Sequence, residues 1–293
     1  MGLRLFSALC LATLAAIIKL VEARGANLIE IMFFRQFAAV PVVVAYLAVG
    51  PGLGAIRTPR MGAHAIRTMV GLVSMAANFG TFLLMPLAEA TTLQFTVPIF
   101  ATILGGLVLG EAIGWHRWGA VCVGFLGVLI VAHPSGAHFS LAGTAVGLTS
   151  GLLMAVVAVL LRQLGKTESA GTTVFWFSAL SVPPLAILWL LSGIHGHDAA
   201  TWAMLIAIGA IGAVGQLALT AALRFGPVST VVPMDYSSLI WATLYGWLLL
   251  GTLPTPYTWA GAPIIIASGL YIVWREHRRG RPESPVTAAD TPA

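Results

Sequence analysis

The chain has 293 residues, 58% of them hydrophobic and 9% charged, with a net charge of +5. Its mean hydropathy is +0.94. A soluble domain carries about 25% charged residues, so a water-soluble enzyme or binding module is excluded. The basic balance gives no case for nucleic acid, because Lys and Arg fall in short segments between apolar runs. Cys10 and Cys122 lie within such runs and read as free packing thiols.

Ten spans are predicted, over residues 3–21, 31–50, 65–86, 90–110, 117–133, 143–162, 171–192, 200–222, 228–250 and 257–274. Each has roughly the 17–25 residues that cross a hydrocarbon core as a helix. GPGLG at 50–54, HPSGAH at 133–138 and GTLPTP at 251–256 are turns between neighbours. The first 20 residues have the form of a signal peptide. They also have a counterpart around Ser150 to Arg162, so they are read as the first span. Residues 276–293, rich in Arg and Pro, are read as a disordered tail.

The fourth span is more than an anchor. Between Glu89 and Glu111 lie 21 uncharged residues with Pro98 in their midst, which leaves the Gln94 carbonyl without a helical donor. Thr91, Gln94, Pro98, Ala101, Thr102, Gly105 and Gly106 fall at helical spacing and form a small, polar stripe. Small-residue helix packing accounts for such a stripe equally well.

A repeat decides between them. Shifted by 141, Ala88–Glu111 falls on Ser229–Thr252: Phe95 meets Tyr236, Gln94 meets Asp235, Gly105 meets Gly246 and Gly110 meets Gly251. Pro86, Gly71 and Trp118 fall on Pro227, Gly212 and Trp259, and at a shift of 143 Ser7, Lys19 and Pro41 fall on Ser150, Arg162 and Pro184. The chain is therefore read as two five-helix halves, 1–140 and 141–275. With the N-terminus cytoplasmic, twelve Lys and Arg lie inside and three (Lys19, Arg24, Arg35) outside, which places both termini in the cytoplasm. Five spans per half invert the second half relative to the first, and inverted repeats put a substrate site near the midplane between them. The expected fold is thus all-α and integral to the membrane.

The runs AEATTLQFTVPIFATIL at 88–104 and GLVLGEAIGWHRWGAVCVGFLGVLIV at 106–131, with the duplicated ten-span plan, resemble the EamA family of the drug/metabolite transporter superfamily. The resemblance extends to about residue 275. The second half departs from it, with Gly251–Thr252 where the first has Gly110–Glu111, so Glu111 is read as a helix-end residue. The resemblance implies transport of small metabolites by alternating access. The best-understood bacterial relatives are YddG-type exporters of aromatic and other neutral amino acids.

Candidate substrate-binding residues are Asn78, Phe79, Phe82, Gln94, Phe95, Trp176, Gln216, Asp235, Tyr236 and Ser238. Asp235 is an intramembrane acid, suited to a substrate amine or a coupled proton, unless its helix begins later and leaves it among headgroups. Gln94, Asn78 and Gln216 suit the ends of a zwitterion, with interhelical hydrogen bonding as the plainer role. The aromatics suit a ring-bearing substrate or lipid-facing packing. Pro98, Gly105, Pro233 and Gly246 are the candidate hinge. Lys19, Glu22, Glu30 and Arg35 flank the first outer loop, where they form an ion-pair gate or snorkel to headgroups. His133, His138, His195 and His197 match no recurrent ligand spacing, so no metal is expected.

No nucleotide-binding lysine motif, G-x-S-x-G or H-E-x-x-H is present. The chain is read as an inner-membrane secondary transporter, an exporter of small neutral or amphipathic metabolites such as aromatic amino acids. A strongly ionic substrate is disfavoured because no Lys or Arg is expected mid-span. The alternatives are an integral-membrane enzyme, or a channel or scaffold. No cofactor and no nucleic acid are expected. The partners are the lipid bilayer and a small-molecule substrate, moved either by facilitated diffusion down its gradient or by proton exchange through Asp235, with a monomer as the working unit and a homodimer as the alternative.

Overall fold

The computed structural model describes residues 2–107, 115–132, 140–165, 167–225 and 235–279, and among these every regular element is helical. The helices are α1 (Gly2–Ala23), α2 (Leu28–Phe37), α3 (Ala39–Val49), α4 (Met61–Leu84), α5 (Leu87–Gln94), α6 (Val97–Leu107), α7 (Trp115–Ala132), α8 (Leu141–Leu164), α9 (Ala170–Ser192), α10 (Ala199–Phe225), α11 (Ser237–Leu250) and α12 (Pro256–Arg279). A 3-10 turn at Leu53–Ile56 precedes α4. Among the described residues eight segments are long and apolar enough to cross a membrane, and Trp118–Ala132 and Ser237–Leu250 are shorter apolar helices. Hydrocarbon offers the backbone no partners, so each span must satisfy its own.

Polar caps start several helices. The Asn27 side chain accepts from the Glu30 N–H at 2.9 Å, Ser140 Oγ from the Gly143 N–H at 2.9 Å and Ser169 Oγ from the Thr172 N–H at 3.1 Å. Gly251 closes α11 with φ 65°, a left-handed conformation suited to glycine.

Two expected spans are divided, each by a proline. The second is interrupted at Ala38, three residues before Pro41, and the fourth at Phe95–Thr96, just before Pro98. In each case the leading helix ends on the residue whose carbonyl the proline leaves without a donor: Phe37 for Pro41 and Gln94 for Pro98. The chain tightens across the second break, where the N–H groups of Phe95 and Thr96 bond to the carbonyls of Thr92 and Leu93, both at 3.1 Å. The bend expected at or beyond Pro98 therefore lies before it. Helix α6 runs unbroken through Gly105 and α11 through Gly246. Pro233 lies outside the described residues, as do His133 and His138. Helix α12 continues to Arg279, past the boundary expected at 276, and residues 280–293 also lie outside.

The packing comes in pairs. Helix α1 packs on α10 and α4 on α8; α1 packs on α11 and α8 on both α5 and α6; α7 pairs with α12, α2 with α9 and α5 with α11. The α7–α12 seam is a backbone approach: a Cβ added to Gly127 would lie 3.1 Å from the Gly261 carbonyl, and one on Gly261 2.6 Å from the Gly127 carbonyl. Ser268 Oγ donates to the Ala120 carbonyl at 2.7 Å along the same seam.

Candidate functional site

Where α5 meets α11, Phe95 and Tyr236 form an edge-to-face pair with ring centroids 4.8 Å apart and planes at 74°. The Tyr236 hydroxyl and Gln94 Nε2 are both sealed from solvent without a hydrogen-bond partner. Ser238 Oγ donates to the Asp235 carbonyl at 2.6 Å in the first turn of α11. Asp235 precedes this helix, and its carboxylate accepts from the Arg4 guanidinium of α1. The side chains of this pair are 11% and 35% exposed. Five expected residues thus gather here, and the Asp235 carboxylate already has a cationic partner.

A second polar group lies between α2, α4, α9 and α10. Arg35 stands on α2 with its Cζ 6.0 Å from the Phe79 ring centroid, and Arg67 on α4 with its Cζ 3.7 Å from that of Phe177. Gln36, fully buried, accepts from Arg35 Nη1 at 3.0 Å and from Ser178 Oγ at 3.2 Å, and donates to Ser181 Oγ at 3.4 Å. No Lys or Arg is expected mid-span, and the spans at 31–50 and 65–86 hold Arg35 and Arg67 near their ends; the structure turns both guanidinium groups toward other helices, with Arg67 buried. The charge count that orients a membrane protein assigns basic residues to loops, and α2 and α4 carry these two inward instead. The signal was present in the apolar flanks of each, MFFRQF and AIRTMV.

The remaining candidates are dispersed. Phe79 and Phe82 are buried in the main core, and Asn78 Nδ2 approaches Met154 Sδ of α8 at 3.5 Å. The half-buried Trp176 indole donates to the Ile56 carbonyl at 2.8 Å and ties α9 to the 3-10 turn. Gln216 is half-buried on α10. At the expected outer loop, Glu30 is fully buried against His197 Nε2 at 2.9 Å and Trp189 Nε1 at 3.3 Å. Arg24 reaches Asp198 at 3.4 Å. Glu30 is therefore held by His197, not by Lys19 or Arg35. Asp198 also caps α10, accepting from the Thr201 hydroxyl and, at 3.2 Å, from its N–H. The Thr201 hydroxyl, with Arg24 nearby, holds the Asp198 carboxyl below the usual carboxylate range.

The sequence profile of the EamA-like transporter family matches residues 1–132 and 141–274. The chain is 29% identical over 250 residues to the riboflavin transporter of Vibrio cholerae serotype O1, a match covering 85% of this chain and 84% of that protein. It is 31% identical over 230 residues to the riboflavin transporter of Rhizobium johnstonii, covering 78% and 76%. It is 26% identical over 239 residues to the pseudopaline exporter CntI of Pseudomonas aeruginosa, covering 82% and 84%. A protein of known crystal structure superposes with a TM-score of 0.60 at 20% identity, over 95% of this chain and 98% of that one, and shows the shared fold. Matched along both stretches, and related to transporters throughout its length, the chain belongs to the EamA-like transporter family of the drug/metabolite transporter superfamily and is a multi-pass membrane transporter rather than an enzyme.

Proposed function

We propose that the chain is a secondary transporter that carries a small amphipathic metabolite with an aromatic or heteroaromatic ring across the inner membrane by alternating access. The observation that carries this reading is the Phe95–Tyr236 contact. The two residues are counterparts under the repeat, and equivalent residues touch only near the axis that relates them. The unpartnered Gln94 Nε2 beside them offers a donor to a substrate, and the Tyr236 hydroxyl a donor or an acceptor.

The inverted repeat is supported by the packing. The repeat shift takes α1 to α8 and α4 to α10, so the α1–α10 pair maps onto α8–α4. It takes α11 and the α5–α6 span into each other, so α1–α11 maps onto α8 with α5 and α6. The two separate stretches matched by the family profile support halves 1–140 and 141–275. Each half supplies one wall of the site, so a monomer suffices. Withdrawing Arg4, Arg35 and Arg67 from the charge count leaves ten basic residues against two, so both termini remain cytoplasmic in this reading.

A proton is the proposed coupling ion, accepted by Asp235 when Arg4 releases it. Transport by Asp235→Asn that still follows the pH gradient would overturn that role. The substrate class embraces aromatic amino acids, which the resemblance implies, and riboflavin, carried by two of the relatives named above. Proteoliposomes loaded with unlabelled riboflavin or phenylalanine provide the test. Saturable counterflow of the labelled compound is the expected result, and flux linear in concentration would make the protein a channel.

A further inference from the structure

We propose that Arg35 and Arg67 receive the anionic group of the transported molecule, a carboxylate or a phosphate on a small aromatic or apolar body. The inference rests on the transporter reading above and narrows its substrate. Among the described residues the ion pairs join Arg4 to Asp235, Arg24 to Asp198, His64 to Glu168 and His197 to Glu30. Neither Arg35 nor Arg67 takes part. Arg67 is 5% exposed, and its Nε and Nη1 are sealed without an acceptor, as is Arg35 Nε. The one acceptor at Arg35 is the neutral Gln36 amide.

Arg35, of the same sign, acts on Arg67 through space. Glu168 does not neutralise either: it accepts from Thr58 Oγ1 at 2.7 Å and stands 3.9 Å from His64. A buried cation without a counter-charge is costly, and two of like sign more so. A guanidinium fork matches a carboxylate or phosphate through paired hydrogen bonds.

The placement suits a transported ligand. Arg35 is the eighth residue of α2 and Arg67 the seventh of the antiparallel α4. At 1.5 Å per residue, their Cα atoms lie about 10 Å in from opposite faces. Gly71 leaves room for Arg67 and its ring: a Cβ there would lie 2.9 Å from Arg67 Nη1 and 2.8 Å from Phe177 Cε2. Phe177 and Phe79 supply ring surface beside them.

The test uses full-length protein in uncharged detergent and two matched probe pairs. These are riboflavin with its 5′-phosphate, and 3-phenylpropionamide with 3-phenylpropionate. At least one anion should bind about tenfold more tightly than its neutral mate, and the pair that responds tells phosphate from carboxylate. R35Q and R67Q should erase that advantage, and R67K should retain part of it. Equal affinities within both pairs, absent binding included, overturn the proposal, as does an advantage that survives both Gln variants. Should R67Q fail to fold, R35Q and R67K still decide. Counterflow keeps the two readings apart: anion binding without counterflow sinks the carrier, and saturable counterflow of neutral probes alone sinks the arginine site.

Discussion

Arg4 donates to the Asp235 carboxylate across 231 positions of sequence, tying the first turn of α1 to the approach to α11. Removing one partner of a fully buried pair costs about 3–5 kcal/mol. With the side chains 11% and 35% exposed, solvent screening reduces this to about 1–3 kcal/mol. Asp235→Asn and Arg4→Gln should each lower the thermal midpoint, and the double variant should lose less than their sum. Melting all four proteins measures the coupling, and strictly additive losses would show that the contact carries none.

Tyr236→Phe should move stability and binding in opposite directions. The hydroxyl is sealed without a partner, so removing it relieves a desolvation penalty of about 1–3 kcal/mol. The same hydroxyl is offered to the substrate. A raised Tm with a weakened substrate Kd is expected, and a lowered Tm with unchanged affinity would show that the group serves packing alone.

Pro98→Ala should leave the protein folded and restore a donor to the Gln94 carbonyl. If the break at Phe95–Thr96 is the moving joint, turnover falls about tenfold, equivalent to ~1.4 kcal/mol, while KM changes little. Transport at the original rate would reduce the break to a static feature. The joint is expected in α5–α6 before the proline, not at Gly105.

Topology is read by labelling. Gly196 lies in an exposed turn with open space around it. Cys122 is exposed in the isolated chain, so Cys10 and Cys122 are first replaced by Ser. A cysteine at Gly196 should then react with an impermeant thiol reagent in intact cells, and one at Arg60 should not. The reverse result inverts the membrane orientation.

The meeting of Phe95 and Tyr236 is legible in the sequence, because the 141-residue offset pairs them and the proposed inverted repeat would bring such pairs together. The break before Pro98 is legible from the carbonyl that proline strands. For Arg35 and Arg67 the apolar flanks are legible, but not the partners. Counting charges for orientation places basic residues in loops, and no single-helix spacing tells that Phe177 and Gln36 will face them. Trp176 misleads for a related reason. Its position in a span is visible, but its bond to Ile56 joins segments 120 positions apart.

The Arg67–Phe177 contact also bears on how the chain is made. Helix α4 emerges from the ribosome 110 residues ahead of the ring that covers its guanidinium. At about 5–20 residues per second, this leaves roughly 5–20 s in which Arg67 has no ring to lie against. An arginine at a span's centre costs about 2.5–3.5 kcal/mol on insertion, and one nearer a face, as Arg67 is, costs less. Until α9 is made, α4 carries that cost without the ring contact. A chain halted before α9 would leave Arg67 without the Phe177 ring.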